Sequence, residues 1–108
     1  MKVVVVGLGV QGLKRSQVAK KELFCTVDPF NVEADYKDIS DVPLSLYNAV
    51  ILCVPDKKKF SLITFCIENN KHILIEKPFI LSNLNYFKQI ERKANSKNLF
   101  IYVAYNHR

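Results

Sequence analysis

Cysteine and histidine are scarce in this sequence, and their spacing argues against metal and disulfide chemistry. The chain has three cysteines, Cys25, Cys53 and Cys66, and two histidines, His72 and His107. An odd number of cysteines without paired C-x-x-C spacing indicates neither a disulfide framework nor a structural zinc site. We therefore expect no metal site and a reducing, cytoplasmic location. The cysteines should pack as small hydrophobic side chains, Cys53 above all.

Long hydrophobic runs are also missing. No apolar stretch approaches the roughly 20 residues that a membrane-spanning helix needs, so we expect no membrane partner. The composition fits a single packed domain, because 49% of the 108 residues are hydrophobic, too many for a disordered chain. The net charge of +6 could favour acidic partners such as nucleic acid or phosphorylated ligands, but charge alone does not choose among them.

Short apolar runs indicate the strands of a buried sheet. They are continuous rather than alternating and rich in Val and Ile, as expected for strands covered on both faces. The five runs are Val3–Val6, Leu23–Val27, 49–54, 73–75 and 99–103. Helical spacing separates the later runs, over 57–70 and again after a Ser82 N-cap, and a further short strand is expected near 34–36. This alternation predicts an α/β fold with a doubly wound parallel sheet, in three α/β/α layers and one domain over residues 1–108.

All three glycines of the chain lie in one motif. Gly7, Gly9 and Gly12 form a G-x-G-x-x-G pattern that follows the first predicted strand and opens a predicted helix over 13–21. In that context the first glycine permits a tight turn, the second lets a pyrophosphate approach the backbone, and the third lets the helix pack on the strand. The unpaired N–H groups at the start of the helix would bind the phosphates, so the motif predicts a dinucleotide site.

An acidic residue follows the second predicted strand, where a dinucleotide site needs one. Asp28 can accept both hydroxyls of an adenosine ribose, and its charge would repel the additional phosphate of NADP, so NAD is the expected cofactor. Its distance from the glycines is slightly shorter than usual, which implies a short first helix. The alternative is that Asp28 and Pro29 only begin a turn.

Two further strand ends would border the same crevice, because ligands bind beyond the carboxyl ends of parallel strands. The third run ends in Cys53-Val54-Pro55 and the fourth in Glu76-Lys77-Pro78. The Glu-Lys pair offers a carboxylate to a ribose hydroxyl and an ammonium to a substrate oxygen. A lysine in a crevice can also have its proton affinity tuned for proton transfer. A solvated turn with an ion pair is the alternative for these two residues.

These segments together resemble one family over nearly the whole chain. The glycine motif, the strand that leads to Pro55, the run 70–78 and the terminal run 102–108 are similar to the nucleotide-binding half of the Gfo/Idh/MocA oxidoreductases, a Rossmann domain. The resemblance implies that Lys77 is the catalytic residue, that its bond to Pro78 is cis, and that Asn106 and Arg108 begin the motif leading to the substrate side. The pyrophosphate would lie on the glycine motif, and Glu76 near the nicotinamide ribose. The implied cofactor site comprises Gly7, Gly9, Val10, Gln11, Gly12, Asp28, Cys53, Val54, Pro55, Lys59, Glu76, Lys77 and Asn106.

The chain also departs from the pattern of that family. Members commonly have a histidine where this sequence has Lys59, which leaves the usual nicotinamide-side contact open and adds positive charge near the cofactor. The second domain of the family, which binds substrate, is absent from these 108 residues. The expectation is an NAD(H)-binding domain of a sugar, polyol or nucleotide-sugar dehydrogenase that is incomplete for catalysis as this chain. An apolar patch left uncovered would favour a homo-oligomer.

Two alternatives stay open. One is a standalone nucleotide-binding or regulatory module without enzymatic activity. The other is nucleic-acid binding through basic runs such as 57–59. It is the weaker alternative, because the aromatic residues follow no RNA-binding pattern and a solvated basic surface explains the runs equally well.

Overall fold

The computed structural model describes residues 1–9, 21–54, 56–76 and 84–104, which form a parallel sheet with helices between its strands. The strands run in the order β2-β1-β3-β4-β5, and every neighbouring pair is parallel. Their bounds are β1 (Val3–Val6), β2 (Leu23–Val27), β3 (Ala49–Leu52), β4 (His72–Glu76) and β5 (Ile101–Ala104). The α/β fold class predicted from the sequence is confirmed.

The strand β1 lies inside the sheet, between β2 and β3, and its register shows where these neighbours end. Its four valines are buried, and Val4 and Val5 have no exposed surface. Both faces of this strand are covered, which is why a continuous valine run suits it. The register aligns Val6 with Val27 of β2 on one side and with Leu52 of β3 on the other. The carboxyl ends of three strands therefore meet at one edge, the edge at which ligands bind in such sheets.

A single residue extends the sheet beyond β2, where the sequence predicted a short strand near 34–36. Tyr36 forms one parallel bridge to Val27. The Asp35 carboxylate accepts a hydrogen bond from the Thr26 backbone N–H at 2.9 Å, in the place that a strand carbonyl would otherwise take. The ladder is therefore limited to one pair. If Tyr36 is counted as a strand, the order matches the 3-2-1-4-5-6 arrangement of dinucleotide-binding sheets.

Two helices connect the later strands and end in the same way. They are α1 (Asp56–Glu68), which was predicted over 57–70, and α2 (Leu84–Ser96). Asn70 and Asn98 follow them in the left-handed conformation, with φ of 62° and 60°. Backbone bonds from Lys71 to Cys66 and from Leu99 to Ala94 complete a Schellman motif at each end. This confirms the predicted stop at Asn69-Asn70.

The two helices contact each other, so they lie on the same face of the sheet. The first predicted helix, over 13–21, falls almost entirely outside the described residues, and Lys21 lies in a turn. Within the described ranges, no helix is long and apolar enough to cross a membrane.

A buried lysine ties the loop before β3 to the residue before β4. Lys71 is nearly inaccessible, and its Nζ donates to the Leu44 carbonyl and, at 2.6 Å, to the Tyr47 carbonyl. The same Nζ lies 4.2 Å from the centroid of the Tyr47 ring. Burial lowers the pKa of Lys71, although the nearby Cys66 opposes this shift. These contacts fasten the amino edge of the sheet, opposite the edge where the three strand ends meet.

The cysteines pack as predicted at two of the three positions. Cys25 and Cys66 are buried, and burial is the main reason that the pKa of Cys25 rises to about 11 and that of Cys66 to about 12. Neither thiol is therefore ionised at neutral pH. Cys53 was expected to be the most buried, but it is only half-buried. The reason is that β3 ends at Leu52, so Cys53 already lies in the turn beyond the sheet.

Candidate functional site

The turn after β1 is built so tightly that it needs a glycine. Gly7 has a φ of +96°, which other residues rarely adopt. A Cβ atom at this position would lie 2.5 Å from the Cys53 carbonyl oxygen and 2.9 Å from its carbon. The Gly7 N–H donates to the Val27 carbonyl at 2.7 Å, so the turn stays bonded to β2 as it leaves the sheet. The first glycine of the motif is thus required by the fold itself.

The second glycine of the motif has a different surrounding. Among the described residues, a Cβ atom at Gly9 would meet no heavy atom within 4 Å, and the φ of Gly9 is not positive. This part of the chain therefore gives no steric reason for a glycine at position 9. A ligand that approaches the backbone would supply that reason. The other predicted members of this loop, Val10, Gln11 and Gly12, lie outside the described residues.

Asp28 connects the glycine turn to the loop that follows β2. One carboxylate oxygen, Oδ2, accepts a hydrogen bond from the Leu8 N–H at 2.8 Å. The other, Oδ1, accepts from the N–H groups of Phe30 at 2.8 Å and Asn31 at 3.1 Å. The turn predicted as the alternative role of Asp28 is therefore present, together with a direct bond to the glycine motif.

The carboxylate of Asp28 is stabilised in its charged form. Partial burial alone would raise its pKa, but the three backbone N–H bonds and the charge of Lys58 outweigh burial and lower it. A carboxylate has about four lone-pair directions, of which these bonds occupy three. The fourth direction, on Oδ2, receives no hydrogen bond from the residues that the structure describes.

A cavity of about 350 Å³ lies beside Asp28, at the ends of β1 and β2. This volume is within the usual range for small-molecule sites, roughly 300–1,000 Å³. Its walls are largely apolar, and its three charged lining residues, Lys37, Asp38 and Lys58, are exposed to solvent and are called its rim below. The lining residues are Val6, Val27, Pro29, Lys37, Asp38, Ile39, Val54, Lys58, Ser61 and Leu62. An apolar slot with a polar rim suits a flat heteroaromatic ring attached to a polar group.

Asp38 supplies the acidic group of this rim. Its Oδ1 accepts hydrogen bonds from the Ser40 N–H at 2.9 Å and the Ser40 hydroxyl at 2.7 Å. These bonds lower the pKa of Asp38, against the smaller opposing effect of burial. Asp38 therefore caps a short 3₁₀ helix (Ile39–Asp41) that supplies Ile39 to the cavity wall.

The run of three lysines at the start of α1 does not form one solvated surface. Lys58 is exposed, whereas Lys59 is only 1% exposed and makes polar contacts of its own. The interpretation of this run as a solvated basic surface is therefore wrong for Lys59. A buried ammonium needs partners, so Lys59 acts within the fold at this end of the helix.

The structure brings together only part of the predicted site. Gly7, Gly9, Asp28, Cys53 and Val54 converge at the carboxyl edge of the sheet, and Val54 lines the cavity. The backbone of Glu76 ends β4 beside Ala104 of β5, at the same edge. Pro55, Lys77, Asn106 and Arg108 lie outside the described residues. Among the residues that can be described, no group of three His, Cys, Asp or Glu side chains could hold a metal ion.

Sequence reasoning missed the outer wall of the cavity. Lys37, Asp38 and Ile39 come from the segment 30–48, which has few periodic apolar residues and gave no pattern beyond the short strand near 34–36. Lys58 and Leu62 come from a helix that was predicted, but the face of this helix that borders the cavity was not. The helical period from Lys58 to Ser61 and Leu62 was the available signal.

Comparison with known proteins gives a family match over nearly the whole chain. A model of the Gfo/Idh/MocA proteins, described as an oxidoreductase family with an NAD-binding Rossmann fold, matches residues 2–105. No curated protein sequence matches the chain.

Several solved structures share the fold. UDP-N-acetylglucosamine 3-dehydrogenase GnnA from Acidithiobacillus ferrooxidans is 21% identical, with a TM-score of 0.82 over 96% of this chain and 38% of that one. The apo scyllo-inositol dehydrogenase from Lactobacillus casei is 20% identical, with a TM-score of 0.77 over 96% and 36%. GenD2 from gentamicin A biosynthesis, in complex with NAD, is 19% identical, with a TM-score of 0.81 over 96% and 34%. The chain thus spans little more than a third of the length of these proteins.

Proposed function

Because this chain belongs to the Gfo/Idh/MocA oxidoreductase family, matching its NAD-binding Rossmann fold, we propose that it binds NAD(H) at the carboxyl edge of its sheet. In this proposal it supplies the cofactor half of a dehydrogenase that acts on a sugar, a polyol or a nucleotide sugar. The sugar-related names of two structural neighbours support this substrate class.

The contrast between the two glycines is the observation that carries the proposal. Gly7 is required by the backbone around it, but Gly9 faces open space. A glycine that no atom of the described residues requires is explained by a ligand that lies against the backbone, and a pyrophosphate does so in dinucleotide sites. The bond from Leu8 to Asp28 holds this loop beside the acidic residue expected to accept the ribose.

The remaining parts of the cofactor have matching surroundings. The described residues leave Asp28 one acceptor direction for a ribose hydroxyl, and the neighbouring cavity has apolar walls that suit an adenine ring. The charge of Asp28 favours NAD over NADP, because it opposes a phosphate on the ribose. When bound, the nicotinamide ring would exchange a hydride with the substrate carbon.

The reacting end of the site is proposed from the family resemblance. Lys77 would donate a hydrogen bond to the substrate oxygen and exchange a proton with it, and Glu76 would accept one from the nicotinamide ribose. The main chain of Glu76 ends β4 at the same edge as the glycine turn. Since the chain spans about a third of its structural neighbours, we propose that residues 1–108 bind the cofactor without turning over a sugar by themselves.

Titration with NADH tests the binding proposal directly. We expect its fluorescence to increase and shift to the blue as the ring leaves water, and no change up to about 1 mM would contradict the proposal. Turnover assays with sugars and polyols are expected to give no rate, and steady NADH production would contradict the incompleteness of this chain.

The Asp28→Ala variant separates a ribose contact from a purely structural role. Losing the bond to Leu8 loosens the loop for every dinucleotide, whereas losing a ribose contact weakens NADH more than NADPH. We therefore expect the NADH dissociation constant to rise by about tenfold more than that of NADPH. Asp41→Ala is the matched control, since Asp41 is exposed on the adjacent 3₁₀ helix and does not line the cavity. If both dissociation constants rose by the same factor, the result would contradict a contact between Asp28 and the ribose.

A further inference from the structure

The rim of the cavity beside Asp28 carries positive charge that the proposed NAD site does not use. Lys37 and Lys58 both line the cavity, and both are exposed to solvent. Asp38 is the single acidic side chain among the lining residues. A site that needed only an adenine and an unmodified ribose would have little use for two ammonium groups at that rim.

Lys58 is the lysine that connects the cavity with Asp28. It lies in the first turn of α1, close enough to Asp28 for its charge to help the three backbone bonds lower the pKa of that carboxylate. Its Nζ lies 5.6 Å from the centroid of the Phe30 ring. Phe30 itself is 86% exposed and follows directly after Pro29, which also lines the cavity. The Lys58 ammonium thus stands over the loop that follows β2, on the same side as the ribose-binding carboxylate.

The negative charge of Asp28 should also repel a phosphate less strongly than predicted from the sequence. Three backbone N–H groups already donate to its two oxygens. Such bonds spread the charge of a carboxylate toward the amide dipoles, and a nearby cation reduces its field further. An additional phosphate at the ribose would meet a partly compensated carboxylate and a lysine, rather than an isolated negative charge.

We propose that Lys58 is a specificity-determining residue that attracts the 2′-phosphate of NADP, so that the site accepts NADPH as well as NADH. This inference rests on the proposed dinucleotide site and adds to it a second cofactor. NADH still binds more tightly than NADPH because Asp28 keeps its contact with the ribose hydroxyl. Lys58 makes the difference between the two dissociation constants smaller.

The test compares the dissociation constants of NADH and NADPH by cofactor fluorescence. In the unmodified chain we expect the NADPH constant to exceed the NADH constant by no more than about tenfold. In Lys58→Gln the ratio of the NADPH to the NADH dissociation constant should rise about fivefold, the effect of one solvated ion pair. Raising the salt concentration from about 20 mM to about 150 mM should weaken NADPH more than NADH, and Lys58→Gln should remove that difference.

Lys93→Gln is the matched control for the loss of one positive charge. Lys93 is exposed in the last turn of α2, which ends at the amino edge of the sheet, away from the cavity. It should leave both constants unchanged, and circular dichroism should show the same helix content in all three proteins.

The outcomes separate this inference from the proposed function. NADH binding with an unchanged cofactor ratio in Lys58→Gln overturns the role of Lys58 and leaves the dinucleotide site standing. If Lys93→Gln changes the ratio of the two dissociation constants as much as Lys58→Gln does, the role of Lys58 is also overturned. The effect would then follow from the net charge of the protein alone. Failure of the unmodified chain to bind NADH overturns the dinucleotide site and this inference together.

Discussion

Replacing Gly7 by alanine should mainly lower the stability of the domain, whereas replacing Gly9 by alanine should mainly weaken NADH binding. Gly7→Ala places a Cβ atom 2.5 Å from the Cys53 carbonyl oxygen and forces a non-glycine residue to a φ of +96°. The unfavourable backbone conformation costs about 1–3 kcal/mol, and displacing the turn after β3 adds about 1–3 kcal/mol. We therefore expect Gly7→Ala to lose about 3 kcal/mol of unfolding free energy, which lowers the thermal midpoint of a domain this size by about 10–15 °C.

Gly9→Ala should leave stability nearly unchanged, because its Cβ atom would meet no heavy atom of the described residues within 4 Å and the φ of Gly9 is not positive. The thermal midpoint should stay within about 2 °C of the unmodified chain. The same Cβ atom would occupy the space proposed for the pyrophosphate, so the NADH dissociation constant should rise by about tenfold or more.

Thermal unfolding without cofactor and NADH titration, both on the two variants, check these expectations, and each variant serves as the control for the other. A Gly7→Ala chain as stable as the original would refute the steric reasoning at the turn. A Gly9→Ala chain that binds NADH normally would refute the position of the pyrophosphate.

Two further predictions concern single polar groups. The Tyr47 hydroxyl is buried without a hydrogen-bond partner in the described part of the chain, so Tyr47→Phe should raise the unfolding free energy by about 1 kcal/mol in denaturant titration. A loss of similar size would mean that the hydroxyl is paired. Asp28 and Asp38 have a pKa below the ordinary 3.8, so the stability they contribute is present above about pH 4 and is lost as pH falls through the lower folded values. Thermal midpoints measured down to about pH 3 should fall less steeply in Asp28→Asn, and an identical pH dependence would contradict this linkage.

The strands were predictable because burial on both faces leaves a simple record in the sequence. Val3–Val6 and Leu23–Val27 were recovered with the correct bounds, since a fully covered strand is apolar at every position. The end of β3 was placed two residues late, because Cys53 and Val54 continue the apolar run into the turn beyond the sheet. Apolarity marks burial, but it does not mark where a hydrogen-bond ladder stops.

The candidate site was predictable only at positions where the backbone accepts few residue types. Gly7 and Asp28 are such positions, because the turn and the N–H groups beside it accept few other residues. The cavity wall at Ile39 and the burial of Lys59 depend on how distant segments pack. Nothing in the local sequence distinguishes a buried lysine from its exposed neighbours in a run of three. An irregular loop also has no periodic pattern that would predict which of its residues face inward.

The double attachment of Asp28 limits how the cofactor preference of this domain could be engineered. The position after the second strand is the obvious one to replace when a nicotinamide enzyme is to be switched between its two cofactors. In this chain that replacement would also release the amide of Leu8 and unravel the bend at Phe30 and Asn31. A redesign should keep Asp28, because its hydrogen bonds hold the loop. It should vary residues on the opposite wall of the cavity, where a side chain can change without disturbing that loop.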